Sequence, residues 1–318
     1  MLNPVIVVLT VGLTFVGVFL AAFHTPQPHR LPVAVVASDR RAALFDVKLQ
    51  RVAPDAFQAE PYQDEHSAEV ALEHRKVYAA YVDTAHDQRL LYAGANGLAV
   101  KALVAPLGQA RQGPGSKVRV VDVLSLTRDD TRGLSIFYAS FGLILAGYLF
   151  GRVTYQVAPR PAFSQRLLSL TVFARALIAD SIYEAIPGRF VAVAGIVRLM
   201  AAAVGAGTVL SIRVFGALGA PVASLFMLVI GNATSGGVLP PSFLPSWLEP
   251  HASVMPAGVG VRVLNGLAYF HDDGVASGFT ILSVWVGVCA LAIFGLDRIA
   301  SRTAIVRAAH RVRPARAR

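Results

Sequence analysis

The chain is poor in charge and almost devoid of cysteine. Of its 318 residues only 15% are Asp, Glu, Lys or Arg, against about 25% in an ordinary soluble domain. That shortage excludes a soluble globular enzyme and a disordered chain as descriptions of the whole molecule. The single cysteine, Cys289, forbids an intrachain disulfide and a cysteine-based metal cluster. Lysine is scarce too, with 4 against 25 Arg. No block repeats and no sustained heptad run occur, so solenoid and coiled-coil classes drop out.

What fills the space is apolar: 55% of residues are hydrophobic and the mean hydropathy is +0.56. The pattern is that of a membrane protein with a sizeable polar insert. The net charge of +10 is unevenly spread. Residues 24–132 carry 14 basic and 13 acidic groups, whereas the remainder carries 15 Arg and 6 acids. A basic excess arranged around apolar spans sets membrane orientation and does not imply nucleic-acid binding.

Pro4 to Phe23 is an uncharged 20-residue run, about 30 Å as a helix and so one hydrocarbon thickness. We read residues 1–23 as a first transmembrane helix in preference to a cleaved signal peptide. Residues 24–132 alternate strand-like runs (LPVAVVAS, AFQAEPY, VYAAYVD, QRLLYAGA, SKVRVVDVLSL) with amphipathic stretches, the signature of a small α/β domain. Residues 133–296 then hold five further spans, the first ending at Gly151. Leu167–Ile186 and Phe190–Ile212 follow, then Phe215–Val238 and Phe279–Leu296. Residues 297–318 form a basic tail with seven Arg.

The expected fold is therefore an α-helical polytopic membrane protein of six transmembrane helices, with an extracytoplasmic α/β domain inserted between the first and second. Placing the tail, Arg213 and segment 152–166 in the cytoplasm satisfies the positive-inside rule. Both termini are then cytoplasmic and residues 24–132 are outside.

Four ionisable residues fall within the third and fourth spans: Arg175, Asp180, Glu184 and Arg198. Charges at that depth require pairing or hydration. They form either a polar patch on a transport path or a pair, Asp180 with Arg198, that fixes hairpin register. Gly231 to Trp247 (GNATSGGVLPPSFLPSW) is the most specific local signal. Gly236 and Gly237 favour non-helical backbone, and Pro240, Pro241 and Pro245 cannot continue a helix. Asn232, Thr234 and Ser235 can satisfy freed backbone groups. The reading is a re-entrant or interfacial element near 232–270; a plain capping loop is the competing one. MPAGVGVRVLNGLAYF, Met255 to Phe270, reads as a short apolar helix at the outer surface. Gly147-x-x-x-Gly151 permits close helix approach, within the chain or between copies.

Enzyme signals are poor. GPGSK at 113–117 is too short for a phosphate loop, and neither HExxH nor GxSxG occurs. His66, Glu69, Glu73 and His74 read as a solvated helix face before a metal site. No catalytic, cofactor or metal residues are expected.

One span, an α/β domain, then five spans is the layout of ABC type-2 exporter permeases. The chain resembles most their bacterial branch related to phage-infection proteins, through PVAVVAS, VYAAYVD, GNATSGGVLPPSFLP and RVLNGLAYF. The resemblance implies a subunit that dimerises with itself or a related permease. A separate cytoplasmic ATPase would drive a lipid-like, polymeric or amphiphilic substrate outward. It further implies that segment 152–166, with Arg152, Arg160 and Arg166, contacts that ATPase, and that Asn232–Pro245 is the outer re-entrant element. The rival from another class is a membrane-anchored extracellular binding or scaffold protein. An ion-coupled transporter is disfavoured, since no pair of matching halves is visible.

Overall fold

A computed structural model describes residues 4–84, 87–109, 118–128, 130–157 and 189–311. It contains a small mixed sheet with helices and a bundle of long apolar helices. The sheet unit has β1 (Leu31–Val36), α2 (Asp39–Val52), β2 (Phe57–Pro61), α3 (Glu65–Glu73), β3 (Ala79–Asp83), β4 (Gln88–Tyr92), α4 (Leu98–Gln109) and β5 (Arg119–Asp122). Strand order is β2-β1-β3-β4-β5, antiparallel between β3 and β4 and parallel elsewhere.

Period-two alternation divides the strands between two faces. Val33, Val35, Tyr81, Leu90 and Tyr92 pack with Phe45 and Leu49 of α2 and Val100 and Val104 of α4. Phe45 stacks on Tyr81 with ring centroids 4.1 Å apart. Ala34, Ala80, Val82 and Leu91 point the other way, onto Ala68, Ala71 and Leu72 of α3. Helix α3 begins where the sequence dictates: the Asp64 side chain accepts from the Ser67 amide at 2.7 Å, while the Ser67 hydroxyl accepts from the Asp64 amide.

Among the described residues, four apolar helical stretches are long enough to cross a membrane: Val5–Phe23, Ser135–Gln156, Phe190–Ala233 and Val275–Ala300. They comprise α1 (Pro4–Phe23), α5 (Ser135–Val157), α6 (Phe190–Phe215) with its continuation, and α8 (Val275–Arg311). The third stretch is not one rod. Gly216 takes φ +59°, and the chain turns back into a return arm, 219–233. Gly219 permits the reversal, because a Cβ there would lie 2.2 Å from the Ile212 Cα. The Ser211 hydroxyl donates to the Gly219 carbonyl at 2.9 Å and seals the turn. Within the arm, Ser224–Ile230 is π-helical.

Between arm and α8 lies α7 (Pro256–Ala268). The sequence reading makes this a helix on the outer surface. The structure has a helix there, ten of whose thirteen residues are buried, and its side chains join one core with α5, α6 and α8. Gly260 explains the depth, since a Cβ there would meet the Met200 Sδ at 1.9 Å. Helix α8 continues into the basic tail, through Arg311. Helix α1 is the least enclosed. Val8, Leu13 and Leu20 are all exposed, and only Val18 and Ala22 are buried, against Val229, Ala233, Leu244 and Leu248.

The Gly147 and Gly151 spacing is used inside the chain. A Cβ on Gly151 would sit 2.7 Å from the Gly205 carbonyl oxygen and 2.9 Å from the Thr208 Cβ. One on Gly147 would sit 2.9 Å from the Ala201 carbonyl oxygen. Gly142, on the same helix, has open space. Gly151→Val should therefore push α5 off α6 and lower the unfolding midpoint of detergent-purified protein by several degrees. Gly142→Ala should leave it unchanged or raise it, Ala being the better helix former by about 1 kcal/mol. Equal midpoints for the two variants would show that the close approach does not matter.

Candidate functional site

The sheet unit is fastened to one end of the bundle, and the fastening converges on the turn between α7 and α8. His271 and Asp272 adopt φ of 45° and 66° and Gly274 adopts 78°, so two non-glycine residues occupy the left-handed region. Surrounding side chains hold them there. Arg75, just past α3, donates from Nε to Asp273 Oδ2 at 2.7 Å and from Nη2 to the Asp273 carbonyl at 2.6 Å. Both Nη atoms reach the Arg262 carbonyl at 3.1 Å. The guanidinium carbon lies 4.8 Å above the Phe270 ring centroid, within cation–π range. Arg262 adds a bond to Asp273 Oδ2 at 3.3 Å. Arg189, at the start of α6, pairs with Asp272. His271 Nδ1 lies 3.8 Å from a Glu73 oxygen.

Burial pushes the Arg75 guanidinium below its ordinary pKa, and the Asp273 charge opposes that shift. Its side chain is only 14% exposed and that of Asp273 16%, so each charge relies on the other.

A second strap runs through the loop after the return arm. Phe243 and Leu239 insert into the core between sheet, α2 and α4. The His29 amide donates to the Ser242 carbonyl at 2.9 Å, and the Tyr78 and Ser242 hydroxyls are 3.2 Å apart. Burial raises the Tyr78 pKa, so the phenol stays protonated and able to donate. Between the two straps lies a cavity of about 480 Å³, within the range of small-molecule sites. Arg75, Tyr78, Asn96, Ser242, Glu249 and Asn265 line it, together with Arg262 and Phe270.

The expected re-entrant residues are gathered here. The arm ends at Ala233. Asn232 Nδ2 and Thr234 Oγ1 donate to the Leu228 and Ile230 carbonyls, each at 2.8 Å. Gly236 turns with φ +74°. Gly237 abuts Phe137, where a Cβ would be 2.6 Å from the ring. Pro240 precedes a short 3₁₀ turn, Pro241–Phe243, and the Pro245 carbonyl accepts from the Leu248 and Glu249 amides. Ser235, Gly236, Pro240 and Pro241 line the cavity; Asn232, Gly237 and Pro245 do not.

Of the four intramembrane charges, Arg198 is exposed on α6, while Arg175, Asp180 and Glu184 lie outside the described residues. Arg152 is exposed near the end of α5; Arg160 and Arg166 also lie outside them. At that far end of the bundle Arg213 pairs with Asp297, and its guanidinium carbon is 5.9 Å from the Tyr155 ring centroid. Among the described residues no three His, Cys, Asp or Glu side chains converge as metal ligands.

Sequence reasoning missed Arg75, Tyr78 and Asn96 as members of a site. Asp272-Asp273-Gly274 was the visible hint, since adjacent acids in a tight turn call for cationic partners.

Removing one partner of a buried pair costs roughly 3–5 kcal/mol because the other charge is stranded. Asp273→Asn should therefore lower the thermal midpoint by about 5 °C or more. The double variant Arg75→Met/Asp273→Asn should be less destabilised than Asp273→Asn alone, and a double variant at least as unstable would refute the stranded-charge account. No family model matches the chain, and no curated protein or solved structure shows significant similarity to it.

Proposed function

We propose that the chain is a permease subunit of an ABC-type exporter, moving a lipid-like, polymeric or amphiphilic substrate outward with energy from a separate ATPase. The observation that carries this reading is the position of segment 231–270. These residues bear the resemblance to type-2 permeases, and they are wedged between the helix bundle and the sheet unit, joined to both. A displacement of α7 within the bundle would be passed to the sheet unit through Arg75.

The bundle has two unlike ends, which supports the membrane orientation. The sheet unit, with an exposed Trp247 at its border, suits an extracytoplasmic interface. Arg152, Arg213 and Arg298 cluster toward the other end, as the positive-inside rule requires of a cytoplasmic one. Helix α5 finishes at that far end, beside Arg213. Helix α6 begins at the sheet end, beside Asp272. This disposition of Val157 and Phe190 favours the six-span reading with both termini inside. Exposed apolar residues along α1 and α8 suit lipid and a second permease subunit. The cavity alone would equally suit the rival, a membrane-anchored binding protein.

Two measurements separate these readings. A Cys289→Ala chain carrying one cysteine at Ser67 should react with an impermeant maleimide in intact cells, whereas one with a cysteine at Ala300 should react only after lysis. A tagged full chain, purified from its own host in mild detergent, should bring down an ATPase with a phosphate loop, and Arg152→Glu should reduce that recovery severalfold. Purification without any ATPase, even after crosslinking in cells, would overturn the exporter reading in favour of the binding protein.

A further inference from the structure

The cavity between the straps is lined by groups of which some are fully used and some are not. Arg75 spends all three guanidinium nitrogens on Asp273 and the Arg262 carbonyl. Tyr78 and Ser242 hold each other, and the Ser253 hydroxyl donates to the Pro250 carbonyl. Asn96 is different. Its Nδ2 is buried and has no hydrogen-bond partner among the described residues, an arrangement that costs about 1–3 kcal/mol unless something accepts the bond. It sits in a 3₁₀ turn, Gly94–Asn96, that is itself pinned by the Asp122 carboxylate on the Gly94 amide at 2.8 Å. The turn places Asn96 in the cavity wall.

The charges facing the cavity define what fits it. Asp273 neutralises Arg75. Arg262 touches Asp273 through one nitrogen at 3.3 Å and is 55% exposed, which leaves other donors of its guanidinium for a ligand. Glu249 opens the short helical turn Glu249–Ala252 and is exposed at the cavity wall. Arg262 and Glu249 both act electrostatically on the Tyr78 hydroxyl, so one cation and one anion face the same small volume. A simple anion would be repelled by Glu249, and a simple cation by Arg262. A neutral apolar molecule would leave Asn96 unsatisfied.

We propose that this cavity binds a headgroup-sized zwitterion, its acidic group accepting from Asn96 and Arg262 and its amine donating to Glu249. Phe270, Val261 and the prolines at 240, 241 and 250 supply the apolar remainder of the wall. Occupancy would complete the Asn96 bond and tie the sheet unit to α7 and the 235–253 loop. The inference concerns binding alone and holds whether or not the chain transports.

Titration calorimetry on the full chain in detergent tests it, with sn-glycero-3-phosphoethanolamine as probe. That probe should bind about tenfold or more tightly than sn-glycerol-3-phosphate or ethanolamine, each of which satisfies half of the site. Glu249→Gln, at an exposed position, should abolish the preference over glycerol phosphate, both by weakening the zwitterion and by relieving the repulsion of glycerol phosphate. Asn96→Asp should weaken both phosphates. In nanodiscs, loss of probe binding with phosphatidylethanolamine but not phosphatidylglycerol would assign the zwitterion to a lipid headgroup. Equal binding in both would assign it to a soluble molecule. Equal affinity for the three small probes, an unaltered preference in Glu249→Gln, or absence of saturable binding would overturn the proposal. Recovery of an ATPase is unaffected by any of these results, so the two readings fail independently.

Discussion

A single buried cation joins the two parts of this protein. Arg75 leaves the end of α3, crosses to the bundle, and satisfies one carboxylate and two carbonyls of the α7–α8 region while covering Phe270. Desolvating a guanidinium is costly, and only a fixed set of acceptors offsets that cost. The acceptors are fixed because the turn at 271–274 is itself fixed, with two non-glycine residues in left-handed backbone. Each condition depends on the other. Helix α7 therefore ends where Arg75 can reach, and the cavity exists because Arg75 and the Ser242 strap hold sheet and bundle together at two separated places.

Much of the sheet unit was legible in the sequence, because its information is local. Alternation in LPVAVVAS and VYAAYVD gives strands, and the Asp64/Ser67 pair starts α3 where the charged run begins. Strand order is not local. The antiparallel β3–β4 pair follows from its short connection, but the neighbours of β1 depend on crossovers that no window reveals. The bundle is less legible still. In a membrane, a helix surrounded by other helices and one surrounded by lipid have equally apolar sequences. The sequence of Pro256–Ala268 therefore does not show that ten of its thirteen residues are buried against neighbouring helices. Glycine placement is the better guide, since Gly260 and Gly151 both mark backbone contact, whereas Gly142 does not.

The candidate site was half visible for the same reason. Arg262, Glu249, Asp272 and Asp273 are the charges of one stretch, residues 239–278. Their organiser, Arg75, lies 198 residues away from Asp273 in the chain. Nothing about a basic residue at the end of a charged helix distinguishes a buried clamp from a solvated surface group. Conversely, the arginines singled out for depth in the membrane include Arg198, which faces outward from the described bundle.

The return arm shows where such an assembly can yield. A π-helical run is a rare departure from α-helical pairing. Here Asn232 and Thr234 donate to the Leu228 and Ile230 carbonyls, while Asn232 Oδ1 is buried without a partner among the described residues. The arm is also where α1 rests, through Val18 and Ala22. The stiff parts of the molecule, α5, α6, α7 and α8, share one core; α1 and the distal arm form a smaller one. A motion that repacks the small core leaves the Arg75 clamp intact. It changes the loop from Ser235 onward, and with it one wall of the cavity. The π-helical arm thus feeds into the second strap and not into the Arg75 clamp, so the loop at 235–243 is where movement of the helices would first alter the sheet-facing surface.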